Sequence, residues 1–315
     1  MSSLDDALSE YLAARRALGT QLAWPESSLR DFVQFVEAEG EQFVTTEVAM
    51  RWALRPVGVQ RATHARRLGI VRAFAAWLQP TEVSTQVPPP RLLPAKQRRP
   101  APHIYSEGQI AELMAAARQL RSKSGLRGAT FNVLIGLLAA TGLRPGEALA
   151  LDVGDVDLVD AILTIRESKF GKSRVVPIEQ SVSDALAAYA TFRDAARPHH
   201  ETSVFLVTAR GMRLKGSAAR RTFAGLCQIV GLRPPQRRRS GRGPRLQDFR
   251  HTFATGRLVE WYRAGLDVDR LMPRLATYLG HSSTVETYWY IQSVPELLRL
   301  AAERLEAVAA RGDER

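Results

Sequence analysis

Residues 247–255 read QDFRHTFAT, 278–283 read YLGHSS and 287–291 read TYWYI. The first stretch has helical apolar spacing broken by one cation: Arg250 lies between Phe249 and Phe253, so its charge needs a ligand or a carboxylate partner once the helix packs. In the second, Gly280 is placed to stop a helix, with His281 immediately after it. The third carries two phenols, Tyr288 and Tyr290. Side chains two residues apart on a helix point about 200° apart, so only one of these tyrosines can face a shared site. An arginine, a histidine and a tyrosine in this order form a set able to hold one phosphodiester while a phenolic oxygen attacks it.

Upstream, two further cations stand at structural corners. In TGLRPGEALAL (141–151) Gly142 can end one helix and Pro145 can begin the next, which leaves Arg144 at the turn between them. In RESKFGKSRVVP (166–177) β-branched residues flank a glycine-containing turn, so two short strands form a hairpin with Lys169 beside its turn. Taken singly, each of these residues reads as an ordinary surface cation, cap or packing group.

The chain has 315 residues, 45% of them hydrophobic, which is enough for two domains with separate cores. Four runs of helical period occupy residues 4–78, and the Pro-rich tract TEVSTQVPPPRLLPAKQRRPAP (81–102) follows without any such period. The reading divides the chain into a helical bundle over 1–85, an extended basic linker over 86–104 and a second domain over 105–315. Ser106 and Gln109 form a capping-box pair that opens the second domain, and TFNVLIGLLAA (130–140) is apolar all round and therefore buried. Further helices are expected over 181–198, 217–230, 246–262, 269–279 and 284–290, with an amphipathic one from Pro295. The fold class is mainly α, with a small antiparallel sheet in the second domain.

A formal net charge of +12 asks for an anionic partner. Residues 1–90 carry nine Arg or Lys against ten Asp or Glu, so the excess lies beyond them. Residues 88–102 hold four basic side chains and no acid, Arg98 and Arg99 among them; residues 233–245 hold six and no acid, including Arg237, Arg238, Arg239, Arg242 and Arg245. One run joins the domains and the other precedes QDFRHTFAT, where a DNA backbone would pass if that motif binds phosphate. No apolar span reaches about 18 residues and the start lacks a signal-peptide pattern, so a soluble cytoplasmic protein without a membrane partner is expected. The single cysteine, Cys227, excludes an internal disulfide and reads as a small apolar residue on a helix face. Without CxxC or HExxH there is no recognisable zinc site.

Together and in this order the motifs resemble those of the tyrosine recombinases, the phage integrase family. The likeness covers about residues 105–311, whereas residues 1–85 match in size, helicity and position, as a SAM-like core-binding bundle. The resemblance places the first catalytic arginine on Arg144 with Glu147 as its acidic companion, the hairpin lysine on Lys169, the second arginine on Arg250 and the box histidine on His281. It puts the nucleophile on Tyr290, nine residues beyond His281, with Tyr288 as competitor. Tyr290 would attack the scissile phosphorus, form a 3′-phosphotyrosyl link and release a 5′-hydroxyl. Arg144 and Arg250 would stabilise charge on the non-bridging oxygens, Lys169 would protonate the leaving oxygen, and His281 would bond the phosphate. The bond energy stays in the ester, so no ATP, metal or other cofactor is implied.

The implied partner is double-stranded DNA, gripped by two domains, with Arg61, Arg66 and Arg67 of the bundle facing a groove. The implied assembly is a homotetramer on DNA, alone or with related recombinases, in which the helix from Pro295 to Ala310 docks on a neighbour or on its own core. The ending TYWYI…VPELLRLAAERLE resembles the mobile-element branch, hence integration, excision or transposition. Gln247 departs from the family's His-x-x-Arg box. Histidine there can accept the tyrosine proton and bond the phosphate, and glutamine can do only the second. His251, about 100° round the helix from Arg250, reads as a supporting or packing group. Gln247 leaves open both a slowed but competent recombinase and a weakened DNA-binding accessory member of a recombinase set. A type IB topoisomerase shares the chemistry, but the length, the two-domain plan and LGHSS favour a recombinase.

Overall fold

Ser3 accepts a hydrogen bond from the Asp6 amide while the Asp6 carboxylate accepts from the Ser3 amide, a reciprocal cap that starts α1, Leu4–Ala17. The computed structural model describes residues 3–19, 23–94, 101–166, 173–197, 203–234, 243–281, 283, 287–288, 290, 297–299 and 302. Two units divide the chain, Met1–Pro100 and Ala101–Arg315.

In the first unit α1 packs with α2 (Ala23–Ala38), α3 (Thr46–Leu54) and α4 (Arg61–Leu78) around Leu8, Leu12, Phe32, Trp52 and Phe74. Phe32 meets Trp52 edge-on, ring centroids 5.2 Å apart, which suits the positive edge and negative face of the two rings. Part of the Pro-rich tract lies on this bundle instead of forming an open linker. Prolines offer carbonyls but no N–H, so donors come from a helix: Arg72 bonds the Pro88 and Pro89 carbonyls at 2.6 and 2.7 Å. The Gln86 amide donates to the Val44 carbonyl at 2.7 Å, and Val87 and Leu93 pack on the core.

The second unit begins as its cap pair dictates, with Ser106 and Gln109 heading α5 (Glu107–Arg118). It continues through α6 (Leu126–Thr141), α7 (Pro145–Ala150), α8 (Gln180–Ala196), α9 (Gly216–Ile229), α10 (Asp248–Arg263) and α11 (Val268–Leu279). Apolar on every side, α6 runs through the core, where Leu134, Ile135 and Leu138 are fully buried. Cys227 is buried on α9, and burial pushes its thiol up to about 11, as befits an apolar core group. Three antiparallel strands in the order β1 (Val156–Asp157), β2 (Ile162–Ile165) and β3 (Arg174–Pro177) form the small sheet, with Ile165 paired to Arg174. Two strands were expected; β1, two residues long, is too short to show an alternating pattern. The mainly helical class with a small antiparallel sheet is thus the observed one. Among the described residues no helix is long and apolar enough to cross a membrane.

Candidate active site

The last carbonyls of a helix lack helical partners and carry the negative end of its dipole. At the end of α11 three successive ones are each met by a different arginine. Arg174 Nε donates to the Tyr278 carbonyl at 2.9 Å, Arg250 Nη2 to Leu279 at 2.6 Å and Arg144 Nη2 to Gly280 at 3.1 Å. Gly280 closes the helix at φ +69°, which favours glycine, and a Cβ there would come within 2.8 Å of Arg174 Nη1 and push the guanidinium aside.

Two of these arginines share one carboxylate. Glu147 on α7 accepts from Arg144 Nη1 at 2.7 Å and the Arg144 amide at 2.9 Å, and from Arg174 Nη1 and Nη2 at 3.1 and 2.8 Å. Burial would raise this carboxyl, but the hydrogen bonds from Arg174 and Arg144 hold it down at about 2. Arg144 takes its place because Pro145 begins α7 immediately after it.

Arg250 is 2% exposed. The carboxylate or ligand expected for it is replaced by two carbonyls, Leu279 and Gly142 (3.1 Å), and by a hydrogen bond to the Tyr290 phenol. Burial pulls its guanidinium down to about 10, so it remains a cation at neutral pH. Gly142 stands at φ +61°, where a Cβ would meet Phe253 Cδ1 at 2.6 Å; only glycine lets α6 end against α10 here. The start of α10 is pinned by Tyr105, whose ring stacks on Phe249 at 4.3 Å and whose hydroxyl donates to the Arg245 carbonyl at 3.0 Å.

His281 Nδ1 and the Thr287 hydroxyl share a 2.7 Å hydrogen bond, and Thr287 is fully buried. Burial, with Arg250 and Arg144 adding to it, pushes the imidazole down to about 3, so it is neutral at pH 7. Tyr290 is 3% exposed and its ring touches two imidazoles: His281 at 5.9 Å between centroids and His251 at 5.2 Å. Tyr288 is 39% exposed and donates its hydroxyl to Asp269 at 2.9 Å, outside this cluster. Arg144, Arg250, His281 and Tyr290 therefore come together, and Tyr288 does not join them.

Residues 104–296 match the model of the phage integrase family. The chain belongs to the phage integrase family. It is 42% identical to an integrase/recombinase of Sinorhizobium fredii, y4rB, over 97% of this chain and 98% of that one. To the tyrosine recombinase XerC of Mycobacterium tuberculosis it is 31% identical, over 96% and 98% of the two chains. Its fold is like that of the Tn1549 transposon integrase in complex with transposon right end DNA, at a TM-score of 0.65 and 16% identity over 96% of this chain and 99% of that one. The XerA recombinase gives 0.51 at 21% identity over 95% and 98%. The protein is a tyrosine-type site-specific DNA recombinase.

In this recombinase Gln247 precedes α10 and lines a groove of about 1790 Å³ together with Arg127, Arg210, Arg220, Arg221 and Arg233. Sequence reading did not single out the first four of these arginines, which lie far apart in the chain or as a lone pair and gather only on folding. Arg174 was likewise missed, because its partners come from α7 and α11. Arg245 is half exposed and pairs with Asp248 at 2.7 Å. In the bundle Arg61 is exposed, and Arg66 is exposed with its guanidinium 3.8 Å from the Trp24 ring centroid. Arg67 corrects the expectation of a groove-facing residue. It turns inward, over the Trp52 ring at 3.6 Å and bonded to the Trp52 carbonyl at 3.2 Å and Asp31 at 3.4 Å, partners that compensate its partial burial. Lys169, Arg98, Arg99, Arg237, Arg238, Arg239 and Arg242 lie outside the described residues. The helix expected from Pro295 is described only in part, and there Leu297 is buried in one cluster with Met272, Leu275 and Tyr290. Among the described residues no group of three or more His, Cys, Asp or Glu could hold a metal ion.

Proposed function

We propose that Tyr290 is the nucleophile of this recombinase and that Arg144 and Arg250 are its phosphate clamp. The observation that carries this reading is the placement of the two phenols: Tyr290 is buried on Arg250, His281 and His251, while Tyr288 is turned out to Asp269. Tyr290 Oη attacks the scissile phosphorus in line, giving a 3′-phosphotyrosyl link and a free 5′-hydroxyl. Charge that develops on the non-bridging oxygens falls to the remaining N–H groups of Arg144 and Arg250, held in advance by Glu147 and the α11 carbonyls. His281 donates a hydrogen bond to the same phosphate, Gln247 adds a second, and Lys169 gives the leaving 5′ oxygen its proton.

The enzyme acts in the cytoplasm on double-stranded DNA of a mobile element, in integration, excision or transposition. The bundle, residues 1–85, contributes Arg61 and Arg66 to the grip on that duplex, and Arg98, Arg99, Arg237, Arg238, Arg239, Arg242 and Arg245 contact its phosphates. Strand exchange between two duplexes takes four active sites, so the working form is a homotetramer on DNA. An exposed apolar groove of about 410 Å³ beside Phe253, Trp261 and Tyr278 offers a receiving surface for a neighbour.

Nicked duplexes drawn from DNA flanking the gene, which trap the covalent intermediate by losing the 5′-hydroxyl fragment, test this reading. Wild type is expected to form a denaturant-resistant adduct, and Tyr290→Phe to form none while still binding. An adduct that survives Tyr290→Phe overturns the assignment of the nucleophile. Adduct from Gln247→His with none from wild type means that the natural chain is an accessory subunit.

A further inference from the structure

The phenol of Tyr290 must lose its proton as its oxygen bonds to phosphorus, and the family's histidine position holds Gln247, an amide with no basicity at neutral pH. Two imidazoles touch the Tyr290 ring. A neutral imidazole has one N–H and one lone pair. If His281 gives its N–H to the phosphate, its lone pair is the one at Nδ1, which the Thr287 hydroxyl occupies at 2.7 Å. That leaves His281 nothing with which to take a proton. Arg250 donates to the phenol oxygen, which steadies the phenolate that forms as the proton leaves. We infer that His251 is the group that takes the proton from Tyr290 in this chain, in place of the histidine that Gln247 displaces.

The inference rests on the proposed role of Tyr290. The surroundings of His251 suit it. From α10 and the turn before it, Asp248, Arg245 and Arg250 act on the imidazole, and Tyr290 packs on it from the C-terminal segment at 5.2 Å. Burial lowers its pKa to about 4, with Asp248 opposing and the two arginines adding, so at pH 7 the ring is neutral. An incoming phosphate offsets Arg250 and makes the ring more basic as the reaction begins. In the step itself the Tyr290 Oη–P bond forms and the P–O5′ bond breaks. The phenol proton goes to His251, and the 5′ oxygen leaves with the proton of Lys169; religation reverses both transfers.

Single-turnover cleavage of the same nicked duplexes, followed from pH 6 to 8, tests the assignment on the full chain. Loss of a general base is expected to slow His251→Gln by about 10²–10⁴-fold at pH 7 with DNA binding unchanged. Its residual rate should climb about tenfold per pH unit, as hydroxide takes over, while wild type stays nearly flat. Gln247→His should restore most of the lost rate in the His251→Gln background and should not restore His281→Gln. Equal rates for His251→Gln and wild type, or a loss that Gln247→His leaves unrepaired, overturn the role of His251 alone. Absence of adduct from wild type and from Gln247→His alike overturns the reading of Tyr290 and this inference with it, whereas adduct from Gln247→His alone overturns only the role of His251. If His251→Gln does not fold, His251→Asn with and without Gln247→His makes the same comparison.

Discussion

The two units of this recombinase bury different kinds of side chain. Among the described residues of the N-terminal bundle the buried polar groups are Ser28 and Thr85, and the core is Trp52, Phe32, Phe74 and aliphatic residues. The second unit buries Glu147, Asp155, Arg193, Asp248 and Arg250 as well as several hydroxyls. A bundle of the first kind is stabilised by apolar area and tolerates substitutions that keep volume. A unit of the second kind must offset the desolvation of each ion with a partner, and its reward is cations held in fixed positions, as the proposed phosphate clamp requires. The first is a scaffold and the second a charged instrument.

The widest separation between the two should come from one substitution in each core. Trp52→Ala is expected to destabilise the bundle by about 3–5 kcal/mol through cavity formation. Glu147→Gln is expected to cost the second unit a similar amount, about 3–5 kcal/mol, because Arg144 and Arg174 lose their shared carboxylate. Hydrogen exchange read peptide by peptide checks both. Only Glu147→Gln should also abolish cleavage, and exchange rising in both units from either change would break the contrast.

Acid should divide the units next. His281 and His251 are held at about 3 and about 4 in the fold against an ordinary 6.5, so the unfolded chain takes up their protons first as pH falls. Stability from these groups is full above pH 6.5 and drains away below it. Glu147, at about 2 against 4.5, acts with the same sign over the lower range, from pH 4.5 down to about 2. The second unit should therefore lose protection progressively between pH 6.5 and 3 while the bundle keeps its own. Equal loss in both units over that window would remove the basis of the contrast. The smallest effect is expected from Tyr288→Phe, which removes one exposed hydrogen bond to Asp269, at most about 1 kcal/mol, and should leave the cleavage rate unchanged.

Much of the site was legible because its markers are local. Gly142 and Pro145 fix Arg144 at a corner, Gly280 ends α11, and the two-residue spacing of Tyr288 and Tyr290 forces a choice between them. Helices were legible from caps and period, as Ser106 with Gln109 shows. What escaped depends on contacts across the chain. Arg174 joins the site through Glu147 and Tyr278, residues 27 and 104 positions away. His251 lies beside Arg250 in sequence, yet its meeting with Tyr290 depends on where a separate segment returns. Arg67 differs the other way: the resemblance groups it with Arg61 and Arg66 as groove-facing, and Trp52 and Asp31 draw it inward.

The arginines at the end of α11 are held by peptide oxygens, which every residue type supplies alike. The bonds therefore do not depend on which side chains stand at 278 and 279, and packing alone limits those positions: Leu279 is buried in the core and the Tyr278 ring stacks on Phe253. Position 280 is limited by its backbone at φ +69°. In a library selected for altered DNA targets, apolar replacements should survive at 279 and aromatic ones at 278, while position 280 should stay glycine or, rarely, asparagine.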